Sequence, residues 1–129
     1  MKAQPVHPLF ALLVGAMLVA ACGSGPAAAP TAAGPAGDAA AGETKFVGTC
    51  SSCHGPDAAG LPGLGKNLVT SEFAKGLTDA ELLTFVKTGR STSDPANTTG
   101  VDMPPKGGNP ALTDQDLLDI IAYIRTLEK

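Results

Sequence analysis

The clearest pattern in the chain lies at its end. Leu117, Ile120, Ile121 and Ile124 recur at helical spacing after Thr113-Asp114, which predicts a final helix with one apolar face and core packing for that stripe. Acidic residues in its first turn suit the helix dipole, and Arg125 and Lys129 lie near its end. A second helix is announced by Thr78-Asp79-Ala80-Glu81, a capping box with Thr78 as N-cap, followed by Leu82, Leu83, Phe85 and Val86 and stopped by Gly89. A first helix is predicted over roughly Ala40 to Cys50. No stretch alternates with the period of a strand, so the fold class expected is all-α. Ser91 to Leu112 has no rhythm: 22 residues with four prolines and three glycines. A loop of that length in a small domain needs a functional reason.

The N-terminal third is patterned differently. Leu9 to Ala20 is an unbroken apolar run of 12 residues, short for a membrane span but suited to the core of a signal peptide. Val19-Ala20-Ala21-Cys22 resembles the lipobox of bacterial lipoproteins, in which the signal is cut before the cysteine and the cysteine is lipidated. That resemblance implies a lipid-modified Cys22 at the outer face of a cytoplasmic membrane or in the periplasm; the alternative is a plain secretory signal with a stray cysteine. Gly23 to Ala41 is Ala, Gly and Pro apart from Ser24, Thr31 and Asp38. Without large apolar side chains it reads as a linker, with a flexible-chain reach of roughly 25 Å. The expected organisation is a lipoprotein signal over 1–21, a lipid-anchored linker over 22–41 and a folded domain over 42–129.

Charge adds little. The formal net charge is −3, which becomes −4 once Lys2 leaves with the signal, and no basic patch interleaved with aromatics supports nucleic-acid binding. Four Phe, one Tyr and no Trp make a thin core for about 90 residues, so a disulfide, metal or cofactor is expected to complete it.

Cys50-Ser51-Ser52-Cys53-His54 indicates which. C-x-x-C-H is the c-type haem attachment pattern, in which two thiols bond the haem vinyl groups and the histidine supplies an imidazole to the iron. A thioredoxin-like pair would need a βαβ context, a zinc site would need further His or Cys ligands, and a disulfide would leave His54 unexplained. After removal of the signal one histidine, His54, and one methionine, Met103, remain. A sixth ligand would therefore be Met103, a weaker group such as Lys, an exogenous molecule, or nothing. Met103 precedes Pro104 and Pro105, which fix the local backbone; it is a poor candidate for core filler and is favoured as the ligand.

From about Gly42 onward the chain resembles a class I c-type cytochrome. Gly42 and Phe46 stand at the family's spacing before the haem motif, Gly65-Lys66-Asn67-Leu68 stands where the family has Gly-Pro-Asn-Leu, and Met103-Pro104-Pro105 matches the bacterial methionine loop. The resemblance implies a small cytochrome c fold with crossing N- and C-terminal helices, Tyr123 near Gly42 and Phe46, and one covalent haem c as the core. It implies Cys50 and Cys53 as thioether positions and His54 and Met103 as axial ligands. The missing proline leaves the carbonyl that bonds the histidine to Lys66 or to the neighbourhood of Pro62. Leu64, Leu68, Phe73, Phe85, Val86 and Leu118 are expected to pack on the haem, and Lys66, Lys87, Arg90 and Lys106 are candidates for propionate or docking contacts. The function implied is one-electron carriage between redox proteins of a respiratory or photosynthetic chain, with no catalysis of its own. Two alternatives stand beside it: a fixed monohaem subunit of a quinol-oxidising or oxidase complex, and a haem-based ligand sensor or peroxidase-like protein.

Overall fold

The structure, a computed structural model, describes residues 36–129. The expected signal peptide, Cys22 and residues 22–35 of the linker lie outside the described residues. Among the described residues five α-helices follow in chain order: α1 (Ala39–Thr49), α2 (Ser51–His54), α3 (Glu72–Lys75), α4 (Asp79–Thr88) and α5 (Asp114–Leu127). A 3₁₀-type turn, Pro105–Gly108, precedes α5. Among the described residues there is no strand; Leu61 pairs with Gly65 and Arg90 with Met103 as isolated antiparallel bridges.

Local chemistry sets most boundaries. Asp38 caps α1, its Oδ1 accepting from the N–H groups of Ala40 (2.9 Å) and Ala41 (3.2 Å), so the helix reaches back into the stretch assigned from composition to the linker. At its other end α1 stops at Thr49, one residue before the expected Cys50, and the C-x-x-C-H residues continue in the separate turn α2. The capping box on α4 is present with both halves, and Gly89 ends that helix at φ +73°. A second box, Thr113 with Asp116, starts α5. The short α3, capped by Ser71, has no periodicity long enough to announce it.

Helices α1 and α5 cross at Gly42, where a Cβ would lie 1.9 Å from the backbone oxygen of Asp119; only glycine lets the backbones approach so closely. One turn on, the Phe46 and Tyr123 rings meet with centroids 5.5 Å apart. Phe46, Leu117, Ile120 and Ile124 form the core with Ala58 and Leu112, and Ile121 is buried beside them.

Polar contacts fasten the crossing. Asp119 is buried, yet its carboxylate accepts from Lys45 Nζ (2.6 Å), the Asp38 N–H (2.9 Å) and Gln115 Nε2 (2.9 Å). The Lys45 ammonium, foremost among these donors, holds its pKa down at about 2. Arg125 joins three elements by donating to the carbonyls of Ala74 and Leu77 and to the carboxylates of Asp79 and Glu128. Among the described residues no helix is long and apolar enough to cross a membrane.

Candidate functional site

The loop after α2 folds back on the C-x-x-C-H turn. Gly65 passes so close that a Cβ there would lie 2.2 Å from the carbonyl oxygen of Cys53, and the amides of Gly60 and Leu61 donate to His54 O (2.7 Å) and Cys53 O (3.2 Å). This approach puts the Lys66 carbonyl against the histidine, with His54 Nδ1 2.8 Å from Lys66 O. A carbonyl only accepts, so the contact places a ring proton on Nδ1, and in the neutral imidazole the lone pair is then on Nε2. The missing proline of the Gly-Pro-Asn-Leu pattern thus has a substitute: Lys66 supplies the carbonyl, and Pro62 does not.

Met103 is brought in by a separate segment, the long loop after α4. Arg90 and Met103 exchange both backbone hydrogen bonds, each 2.8 Å, directly after the end of α4. Gly89 permits the contact twice over: its φ is positive, and a Cβ would lie 2.2 Å from the Met103 carbonyl oxygen. Pro104 and Pro105 then turn the chain into the 3₁₀ segment, where Lys106 Nζ donates to Leu112 O (2.7 Å).

Between these two constructions lies one mainly apolar cleft of about 520 Å³, and Cys50, Cys53, His54 and Met103 all line it. Of the six apolar residues expected on its wall, Leu64, Leu68, Phe73, Phe85 and Val86 are present. Leu118 is not, because Ile120 and Ile124 present the cleft-facing side of α5. Among the basic residues singled out from sequence, Lys66 and Arg90 line the cleft. Lys87 is instead paired with Asp114 at 2.8 Å, and Lys106 holds the start of α5.

Arg90 is the residue that sequence patterns under-described. Its guanidinium carbon lies 4.5 Å from the Phe73 ring centroid and 4.8 Å from that of Phe85, rings that meet edge to face. Its Nε is buried without a hydrogen-bond acceptor; Asp94 Oδ2 is 3.2 Å away, in ion-pair range but off the N–H direction. Cys50 and Cys53 are not joined to each other by a disulfide, and both border the cleft. Among the described residues no group of three or more His, Cys, Asp or Glu could hold a metal ion by itself.

Residues 37–124 match the family model described as cytochrome c oxidase, cbb3-type, subunit III. The chain belongs to the cytochrome c family. Cytochrome c-554(548) of Halomonas halodenitrificans is 38 % identical over 101 residues, covering 72 % of this chain and all of that protein. Cytochrome c-555 of Chlorobaculum thiosulfatiphilum is 35 % identical over 88 residues, 67 % of this chain and 93 % of its own. Cytochrome c-555 of Prosthecochloris aestuarii is 32 % identical over 87 residues, 67 % and 85 % respectively.

As a cytochrome c, the protein carries one covalent haem c, works with redox partners as an electron carrier rather than an enzyme, and belongs to a class generally exported to the periplasmic side. Its cleft fits that cofactor on its own chemistry. Phe73, Leu64 and Val101 are 45 %, 37 % and 37 % exposed on the cleft wall, large apolar surfaces that a flat apolar group would cover. The buried Nε–H of Arg90 also lacks an acceptor, and an acidic substituent on such a group would provide one.

Proposed function

We propose that this cytochrome holds its haem through thioethers at Cys50 and Cys53, with His54 and Met103 as axial ligands. The observation that supports this reading is that all four residues, from two segments far apart in sequence, line one apolar cleft. When bound, the haem supplies one-electron transfer. The protein's residues do the rest. Lys66 O fixes the His54 tautomer and ring direction and makes Nε2 a better donor. The Arg90–Met103 bridge and Gly89 hold the methionine backbone against the end of α4. Phe46, Phe73, Phe85, Ile120 and Ile124 exclude water, and a dry site with a thioether ligand raises the reduction potential. Arg90 and Lys66 provide positive charge on the cleft wall for the haem carboxylates.

The domain is proposed to ride on a lipidated Cys22 after cleavage of residues 1–21, on an Ala/Gly/Pro-rich linker that ends where Asp38 caps α1. Such a leash keeps the carrier at high effective concentration near donors and acceptors in respiratory membrane complexes while leaving it free to turn. The cbb3-type description of the matching family favours a second reading, a fixed subunit of an oxidase or quinol-oxidising complex.

The deciding experiment is the optical spectrum of the matured, haem-loaded protein, oxidised and reduced. A low-spin spectrum with the weak far-red band of ferric methionine ligation, lost in Met103→Ala, is expected. A high-spin form that takes up carbon monoxide would sink Met103 as ligand and promote a sensor or peroxidase-like function. Co-purification with large membrane subunits after mild solubilisation would make the second reading the correct one.

A further inference from the structure

The loop that closes on Met103 has almost no apolar packing of its own. Between the bridge partners Arg90 and Met103 its residues are mostly exposed, including Ser91, Thr92, Ser93, Ala96 and Thr98. Its shape rests on hydrogen bonds: the Thr92 N–H donates to the Asp102 carboxylate from one arm to the other, and a larger set converges on the side chain of Asn97. Nδ2 donates to the carbonyl of Ser91 (3.2 Å) on the outgoing arm and to that of Val101 (2.8 Å) on the returning arm. Oδ1 accepts from the N–H groups of Thr99 (3.1 Å) and Gly100 (3.0 Å), with the Thr99 hydroxyl 3.2 Å away. The partners leave no freedom in the amide orientation, since carbonyls only accept and backbone N–H groups only donate. Ser91 adjoins Arg90, and Val101 lies two residues before Met103, so the amide spans the loop immediately above its foot.

We propose that Asn97 is the positioning residue of the methionine loop, the clasp that keeps its two arms together and Met103 at the cleft. The inference rests on the reading of Met103 as an axial ligand. It is specific in chemistry: alanine removes every contact, and aspartate keeps the acceptor toward Thr99 and Gly100 but loses both donors that join the arms. Although Asn97 and Thr99 are half-buried on the cleft wall, the backbone partners Ser91, Gly100 and Val101 are exposed, so water takes over their abandoned groups and global stability changes little. What changes is how often the arms separate and release the methionine.

The test compares matured holoprotein with Asn97→Ala and Asn97→Asp. Both variants are expected to lose at least half of the far-red ferric band, to bind carbon monoxide in the ferrous form at least tenfold faster, and to show a lower midpoint potential. Ile121→Ala serves as the comparison, since Ile121 is 1 % exposed and is not among the residues lining the cleft. It is expected to unfold at lower denaturant than either Asn97 variant while keeping the band and the slow carbon monoxide reaction. If Asn97→Ala fails to mature, Asn97→Asp is read by the same criteria. Bands and carbon monoxide rates within twofold of wild type in the Asn97 variants would overturn the clasp. Absence of the band from the wild type would instead overturn Met103 as ligand, and the clasp with it.

Discussion

Gly42 and Gly48 lie in the same helix, and the same substitution at each is expected to act in opposite directions. An alanine Cβ at Gly42 would sit 1.9 Å from the Asp119 carbonyl oxygen, 2.4 Å from its carbon and 2.9 Å from the Ile120 nitrogen. Ordinary contact begins near 3.4 Å, so the shortest of these is about 1.5 Å too close, and every atom met belongs to backbone that no rotamer change can move. The helices must separate, which opens space around Phe46, Leu117 and Ile120, all within 2 % of complete burial. Overpacking of this kind costs about 1–3 kcal/mol or more, and the better helix propensity of alanine returns under 1 kcal/mol. At Gly48 nothing lies within 4 Å of the added Cβ, so only the propensity gain of about 0.5–1 kcal/mol remains. Guanidinium unfolding of the holoprotein, followed by far-UV circular dichroism, reads both. Gly42→Ala should lower the midpoint by about 0.5–1 M, and Gly48→Ala should raise it slightly without changing the slope. Equal and favourable shifts in both variants would mean that α1 and α5 do not cross at Gly42.

Three further outcomes are expected. The depressed pKa of Asp119 contributes stability that is complete above the unfolded carboxylate value near 4 and is lost as pH falls toward about 2, roughly 2–3 kcal/mol at most; acid titration of Asp119→Asn should therefore show a flatter stability profile between pH 4 and 2, and an unchanged acid limb would refute the assignment. Arg125→Lys keeps a charge but cannot serve two carbonyls and two carboxylates at once, so it should cost about 1–3 kcal/mol in denaturant unfolding, and a loss below half a kilocalorie would show that the hub is solvated rather than structural. Cys50→Ala/Cys53→Ala, exported without covalent haem, leaves the apolar cleft wall exposed and should be largely unfolded by circular dichroism; a cooperative thermal transition near that of the holoprotein would contradict the cofactor's role as core.

Residues that act on near neighbours were legible without coordinates. Thr78 and Glu81 satisfy one another's backbone three residues apart, Gly89 ends α4 through its own φ, and the α5 stripe repeats at the helix period. The chemistry of C-x-x-C-H is likewise contained in five consecutive residues. The box at Thr113–Asp116 and the cap at Asp38 were present in the sequence as well, the first with Asp in place of the usual Glu and the second hidden in an alanine-rich stretch that composition alone assigns to linker.

Tertiary structure decided whatever depends on two distant segments meeting. The family pattern lost its proline at Lys66, and only the close pass of Gly65 over Cys53 shows that the Lys66 carbonyl takes up His54. Periodicity could not separate Leu118 from Ile120 as a cleft residue, because side chains on one helix differ in function only through what faces them. Nor could it foresee that Arg90 would bond Met103 through its backbone, or that Asn97 would join the arms of a loop lacking any apolar rhythm. Local propensities and caps act within one or two turns of chain, whereas the cleft is made by contacts whose partners are set by the packing of α1, α4 and α5 together.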